Sequence, residues 1–137
     1  MASDILVCIN VSKYHSTKGE DLAGDPCLKV TKPQTIGKSP PARYLHSMEF
    51  YKDKAILIIA GGRNDKIPEI VLNDIWLLKL ENMEYQQVIV QNETLVIPRH
   101  NHASALYGSK LCLFGGINEK MMLSLDCQEI EFDPEKV

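Results

Sequence analysis

Three landmarks occur twice along this chain, in the same order. Pro41-Ala42-Arg43-Tyr44-Leu45-His46-Ser47 is echoed by Pro98-Arg99-His100-Asn101-His102-Ala103-Ser104, so an Arg-x-x-His core recurs 56 residues on. The apolar run Ala55 to Ala60, closed by Gly61-Gly62, recurs as Lys110 to Phe114, closed by Gly115-Gly116, at a spacing of 54. Asn73 to Glu81 then aligns with Leu125 to Asp133 at a spacing of 52. A module repeated at a period of roughly 50 residues stacks on its copies, because one copy alone cannot bury its apolar face.

Within one unit the apolar segments are short and separated by turn residues. His46 to Tyr51, Ala55 to Ala60, Asp74 to Leu80 and Tyr85 to Val90 are 6, 6, 7 and 6 residues long and rich in Ile, Leu, Val and Tyr. Such segments read as strands. Four strands in roughly 50 residues is the pattern of a propeller blade. The run Ala55 to Ala60 is apolar throughout, so both of its faces should be covered, and it is too short for a buried helix.

Composition removes several classes. Of 137 residues, 45% are hydrophobic and 24% charged, as in an ordinary globular domain. A net charge of −3 without long runs of one sign argues against nucleic-acid binding. No apolar stretch is long enough to span a bilayer, so no membrane role is expected. The N-terminus lacks the basic and apolar regions of a signal peptide. Cys8, Cys27, Cys112 and Cys127 form no C-x-x-C pair and no metal-ligand spacing with histidine. Reduced thiols and a cytoplasmic location, with nuclear or ciliary alternatives, are therefore expected.

These residues resemble the kelch motif, most strongly from Pro40 to Pro134. The family pattern places Arg and His ahead of the innermost strand, a Gly-Gly pair at the end of the second, and an Asn-Asp-aromatic element at the start of the third. Arg43, His46, Gly61, Gly62, Asp74 and Trp76 meet it in the first copy, and Arg99, His102, Gly115, Gly116 and Asp126 in the second. The second copy departs from the pattern by carrying Gln128 where Trp76 stands. The resemblance implies an all-β fold, a partial kelch β-propeller of four-stranded antiparallel blades. Residues 1–40 would be the third and fourth strands of a preceding blade with a link (Ser12 to Pro26 a long loop), 41–97 a complete blade, and 98–137 a blade lacking its fourth strand. Propellers close with four to eight blades, so further blades from a parent chain or an assembly are expected.

The repeated residues read as scaffold. Glycine pairs without a following Lys-Ser/Thr do not make a phosphate loop, and close backbone packing at a strand end is expected. Arg43 and Arg99 are expected to bond loop carbonyls or carboxylates near the ring axis, and His46 and His102 share their periodicity. Asp74 and Asp126 are expected in turns or caps, and Trp76 in the core. His15 and His100 receive no role. No catalytic residue, metal site or cofactor is expected.

Function then falls to loops on one face of the disc. Arg63, Asn64, Asp65, Lys66 and Glu69, then Asn118, Glu119 and Lys120, with Lys38 and Gln91 to Thr94 (including Asn92 and Glu93), would form a mixed-charge surface suited to a peptide or protein partner. The expected function is a protein–protein interaction module: a kelch scaffold or substrate receptor, for example a ubiquitin ligase adaptor. The alternative is a propeller enzyme, copper oxidase-like or sugar epimerase-like, which would need Tyr, His and Cys ligands converging near the axis.

Overall fold

The computed structural model describes residues 8–10, 29–66, 70–91 and 96–137, all without α-helix. The chain divides into two compact units, one of Ile5–Gln34 and one of Met1–Asp4 with Thr35–Val137. In the first, β1 (Cys8–Asn10) pairs antiparallel with β2 (Lys29–Thr31). The loop expected over Ser12 to Pro26 lies outside the described residues.

The second unit holds the repeat. β3 (Ser47–Tyr51), β4 (Ile56–Arg63), β5 (Val71–Lys79) and β6 (Glu84–Gln87) form a four-stranded antiparallel sheet in sequence order. β8 (Ala103–Tyr107), β9 (Lys110–Phe114) and β11 (Cys127–Glu131) form a three-stranded antiparallel sheet with β9 in the centre. β7 (Arg99–His100) and β10 (Ile117–Asn118) pair beside it. Ile36, in the stretch expected as a link, makes a parallel bridge to Glu84 at the outer edge of the first sheet.

The two sheets pack face to face because their strands alternate. Ile56, Ile58 and Ala60 of β4 share a side with Ile75 and Leu77 of β5, and Leu111 and Leu113 of β9 meet them in one buried cluster. The opposite side of β5 is buried too, with Trp76 and Leu78 almost fully covered. Coverage on both sides explains the uninterrupted apolar run, since neither side can be polar without stranding a polar group. Ser104 Oγ donates to Glu49 Oε1 at 2.6 Å across the two sheets, and the Asn101 N–H donates to the Leu45 carbonyl at 2.9 Å.

Two boundaries of the β4–β5 hairpin differ from expectation. The first glycine pair lies inside β4, not at its end, and the ladder slips register between Ala60 and Gly62. β5 begins at Val71, so Asn73 and Asp74 lie within the strand and do not open it. Both follow from one cause: the β4–β5 hairpin runs on past a bulge, and a bulge lets a glycine pair bend a strand without ending it.

Candidate functional site

The repeated residues form a clamp, built twice. Arg43 leads into β3 and its side chain is almost fully buried. Its guanidinium donates to both Asp74 oxygens, at 2.6 and 2.8 Å, to the Gly61 carbonyl at 2.9 Å and to the Pro41 carbonyl at 3.2 Å. Arg99 does the same one module later, with Asp126 at 3.1 and 3.1 Å, the Gly115 carbonyl at 2.8 Å and the Ile97 carbonyl at 3.4 Å. A planar guanidinium meets a carboxylate through two parallel bonds, which fixes geometry as well as charge. Asp74, within β5, and Asp126, just ahead of β11, are thus acceptors for a buried cation, which corrects the turn or cap role expected of Asp74. The Arg99 bonds, with help from Ser124, hold the Asp126 carboxyl below the usual carboxylate range.

Trp76 does more than pack: its indole N–H donates to Asp74 Oδ2 at 2.6 Å. In the second copy Gln128 fills this place by a different bond, its Oε1 accepting from Arg99 Nη2 at 2.7 Å. Gln128 keeps the clamp closed where an aromatic is missing.

Gly61 sits where the modules touch, whereas Gly62 and Gly116 pack within their own module. Gly61 has φ +58°, and a Cβ there would stand 2.7 Å from the Arg99 carbonyl oxygen and 3.0 Å from His102 Cε1. A Cβ on Gly62 would meet His46 Cβ at 2.8 Å, and one on Gly116 would meet His102 Cβ at 2.8 Å. His46 and His102 therefore lie over the second glycine of their own module. His102 Nε2 also shares a 2.8 Å hydrogen bond with Ser47 Oγ of the preceding sheet.

His100, which carried no sequence signal, is 4% exposed in β7. Neither of its ring nitrogens has a hydrogen-bond partner among the described residues. The only hint available was its alignment with Tyr44 in the first copy. Burial lowers the proton affinity of all three of these histidines, with Arg43 adding to the effect at His46 and Arg63 at His100. His102 is pushed down to about 4, by burial first and then by Arg99, His46 and His100. A depressed imidazole leaves stability intact above its unfolded value near 6.5. The unfolded chain takes the proton first as pH falls, so stability drops between about 6.5 and about 4. The loss from His102 is at most about 3 kcal/mol. Thermal melts from pH 7.5 to 4.5 should show a falling midpoint, flattened in His102→Gln. A flat wild-type profile would contradict this assignment.

The loop residues divide into two kinds. Asn64 is 3% exposed, its N–H donates to the Ile70 carbonyl at 2.8 Å and its Oδ1 accepts the Lys66 N–H at 2.8 Å. Asn118 is its counterpart, accepting the N–H groups of Lys120 and Met122 at 2.9 and 3.0 Å. Both shape turns through their own side-chain oxygen; Asn64 is too buried to be the partner contact expected of it, whereas Asn118 stays half-buried. Arg63, Asp65, Lys66, Glu119 and Lys120 remain at the surface or partly so. Asp65 accepts from Tyr44 Oη at 2.6 Å and Arg63 Nε at 2.7 Å. These two bonds lower its carboxyl, and the bond to Asp65 raises the Tyr44 phenol against an opposing effect of Arg63. Glu69 and residues 92–94, with Asn92 and Glu93, lie outside the described residues.

Arg63 lines a groove of about 1140 Å³ together with Lys38, Ile70, Leu72, Glu119 and Met121. Segments from three separate connections thus meet around one concavity. Across it Arg63 Nη1 makes a long contact with the Met121 thioether, at 3.7 Å. No three His, Cys, Asp or Glu side chains among the described residues converge as a metal site would require.

Comparison with known proteins agrees with this architecture. The KLHDC2/KLHL20/DRC7 Kelch-repeats domain family matches residues 26–135. The chain is 33% identical to tRNA wybutosine-synthesizing protein 2/3/4 of Arabidopsis thaliana over 123 residues, 86% of this chain and 12% of that protein. It is 33% identical to Host cell factor of Drosophila melanogaster over 88 residues, 61% of this chain and 6% of the relative. It is 39% identical to Rho GTPase-activating protein gacHH of Dictyostelium discoideum over 82 residues, 59% of this chain and 5% of the relative. The chain therefore spans only a small part of these much longer proteins.

Proposed function

Because the chain belongs to the kelch-repeat family, we propose that it is a protein-binding module whose recognition surface is the groove around Arg63. The observation that carries this reading is the separation of roles within each repeat. The buried arginines, aspartates and glycines are spent on holding the sheets, while Arg63, Lys38, Glu119 and Met121 surround an open groove. A mixed-charge rim around an apolar floor suits a folded loop or an extended peptide. The relatives place related sequence in proteins with very different names, which fits a common docking element attached to different machinery. Substrate delivery to a ubiquitin ligase is one use of such a module. Cytoplasmic residence and completion of a ring by further blades are part of the same proposal.

Arg63→Ala tests it. Its ion pair with Asp65 is exposed and carries little stability, so the melting temperature should stay where it is. Photo-cross-linking from position 121 should capture a partner, and Arg63→Ala should weaken that capture at least tenfold. A cross-linker at Lys54, at the opposite end of β4, should capture none. Equal capture from both ends would overturn the reading.

A further inference from the structure

Ser39-Pro40 is the one place in the sequence where a serine or threonine is followed by proline. It lies in the stretch that leads into the first sheet, and that stretch is held at both ends. On one side the Ile36 N–H donates to the Met83 carbonyl at 3.0 Å, and the Tyr85 N–H donates to the Ile36 carbonyl at 3.0 Å. On the other, Arg43 Nε donates to the Pro41 carbonyl at 3.2 Å. Between these anchors Lys38 and Ser39 are exposed and outside every strand. Proline lacks an N–H and turns the residue before it away from helical backbone, so Ser39 is presented on an extended segment that a kinase cleft can take up.

Ser39 also lines the groove of about 1140 Å³ that holds Arg63, together with Lys38, Glu119 and Met121. Arg63 keeps Nε on Asp65 at 2.7 Å and extends Nη1 toward the Met121 thioether at 3.7 Å. A thioether is a weak acceptor, so a stronger one in the groove competes for that end of the guanidinium. A phosphate is such an acceptor, with three oxygens and a charge of about −1.5 to −2. Lys38, next to Ser39 in sequence, supplies a second cation. Two carboxylates share the groove. Glu119 is exposed, and Asp74 is already held by Arg43 at 2.6 and 2.8 Å.

We propose that Ser39 is a phosphorylation site and that its phosphate is received within the groove by Lys38 and Arg63, closing that surface to a partner. A kinase that requires proline after the acceptor supplies the phosphoryl group from ATP. The bond between Ser39 Oγ and the γ-phosphorus forms, the bond from that phosphorus to the oxygen bridging to the β-phosphate breaks, ADP leaves, and the hydroxyl proton passes to the kinase. Closure rests on the reading of this groove as the recognition surface, whereas acceptance and capture of the phosphate do not.

The 137-residue chain and a peptide of residues 34–44 are each incubated with a purified proline-directed kinase and ATP. The folded chain should take up one phosphoryl group, at Ser39, and Pro40→Ala should slow the uptake at least tenfold. A phosphorus-31 titration then reads the phosphate. In the peptide its second pKa should lie near the usual value of about 6, and in the folded chain about half a unit or more lower, because nearby cations favour the dianion. Arg63→Ala should move the value most of the way back, and Lys54→Ala should leave the shift in place. Uptake by the peptide but not by the folded chain would overturn the proposal. So would identical titrations in chain and peptide, or a shift that survives Arg63→Ala. Capture of a partner from position 121 that stoichiometric phosphorylation does not weaken would overturn closure. No capture from that position before phosphorylation would overturn the recognition reading and closure with it, but not the phosphate site.

Discussion

Arg43→Met is expected to cost about 3–5 kcal/mol of folding stability, the range for breaking a buried ion pair from one side. The methionine fills much of the volume but donates nothing. Asp74 then loses both guanidinium bonds, and the Gly61 carbonyl loses its partner. An uncompensated carboxylate beside a buried tryptophan is the expensive remainder, since Trp76 Nε1 supplies only one bond in return. Arg43→Lys should recover only part of the loss, because an ammonium cannot meet two carboxylate oxygens and a carbonyl in one plane. Urea titration of the three proteins checks the order. For a domain whose total stability is about 5–15 kcal/mol, the methionine variant should be close to unfolding at physiological temperature.

Gly61→Val should be at least as damaging. The residue has φ +58°, a region that β-branched side chains rarely enter, at a cost of about 1–3 kcal/mol. Beyond that strain, the new Cβ would press on the Arg99 carbonyl oxygen at 2.7 Å, an atom held by backbone and unable to swing aside. Gly115 is the informative comparison. Its φ of +61° is nearly the same, but a Cβ there meets only the Ser124 carbonyl oxygen, at 3.2 Å. The two alanine variants share the conformational penalty and differ in the clash. Gly61→Ala should therefore melt well below Gly115→Ala. Equal midpoints would mean that the second module does not press on Gly61 in solution.

The repeat was readable because its three landmarks keep their order, and order survives when loops change length. The apolar run at Ala55 to Ala60 disclosed a strand covered on both sides, and Ile58 and Ile59 are indeed both buried. What could not be read was which side chains meet across strands. Arg43 and Asp74 are 31 residues apart, and an aspartate next to an asparagine resembles a turn until the strand around it is seen. Asn64 is illegible for the opposite reason. A polar residue in a loop looks available to a partner, yet its amide oxygen is consumed by the turn it builds. His100 gave no signal because nothing in composition distinguishes a buried histidine without hydrogen bonds from an exposed one.

The most direct measurement is the through-space contact between the two modules in solution. Nuclear Overhauser cross-peaks should connect the Gly61 α-protons with the His102 Hε1 proton, accompanied by contacts between Glu49 and Ser104 side chains. Their presence is what two sheets pressed together through a glycine contact require. Sharp, well-dispersed signals from both sheets with no cross-peak between them would show two modules that fold without leaning on each other, and would contradict the account.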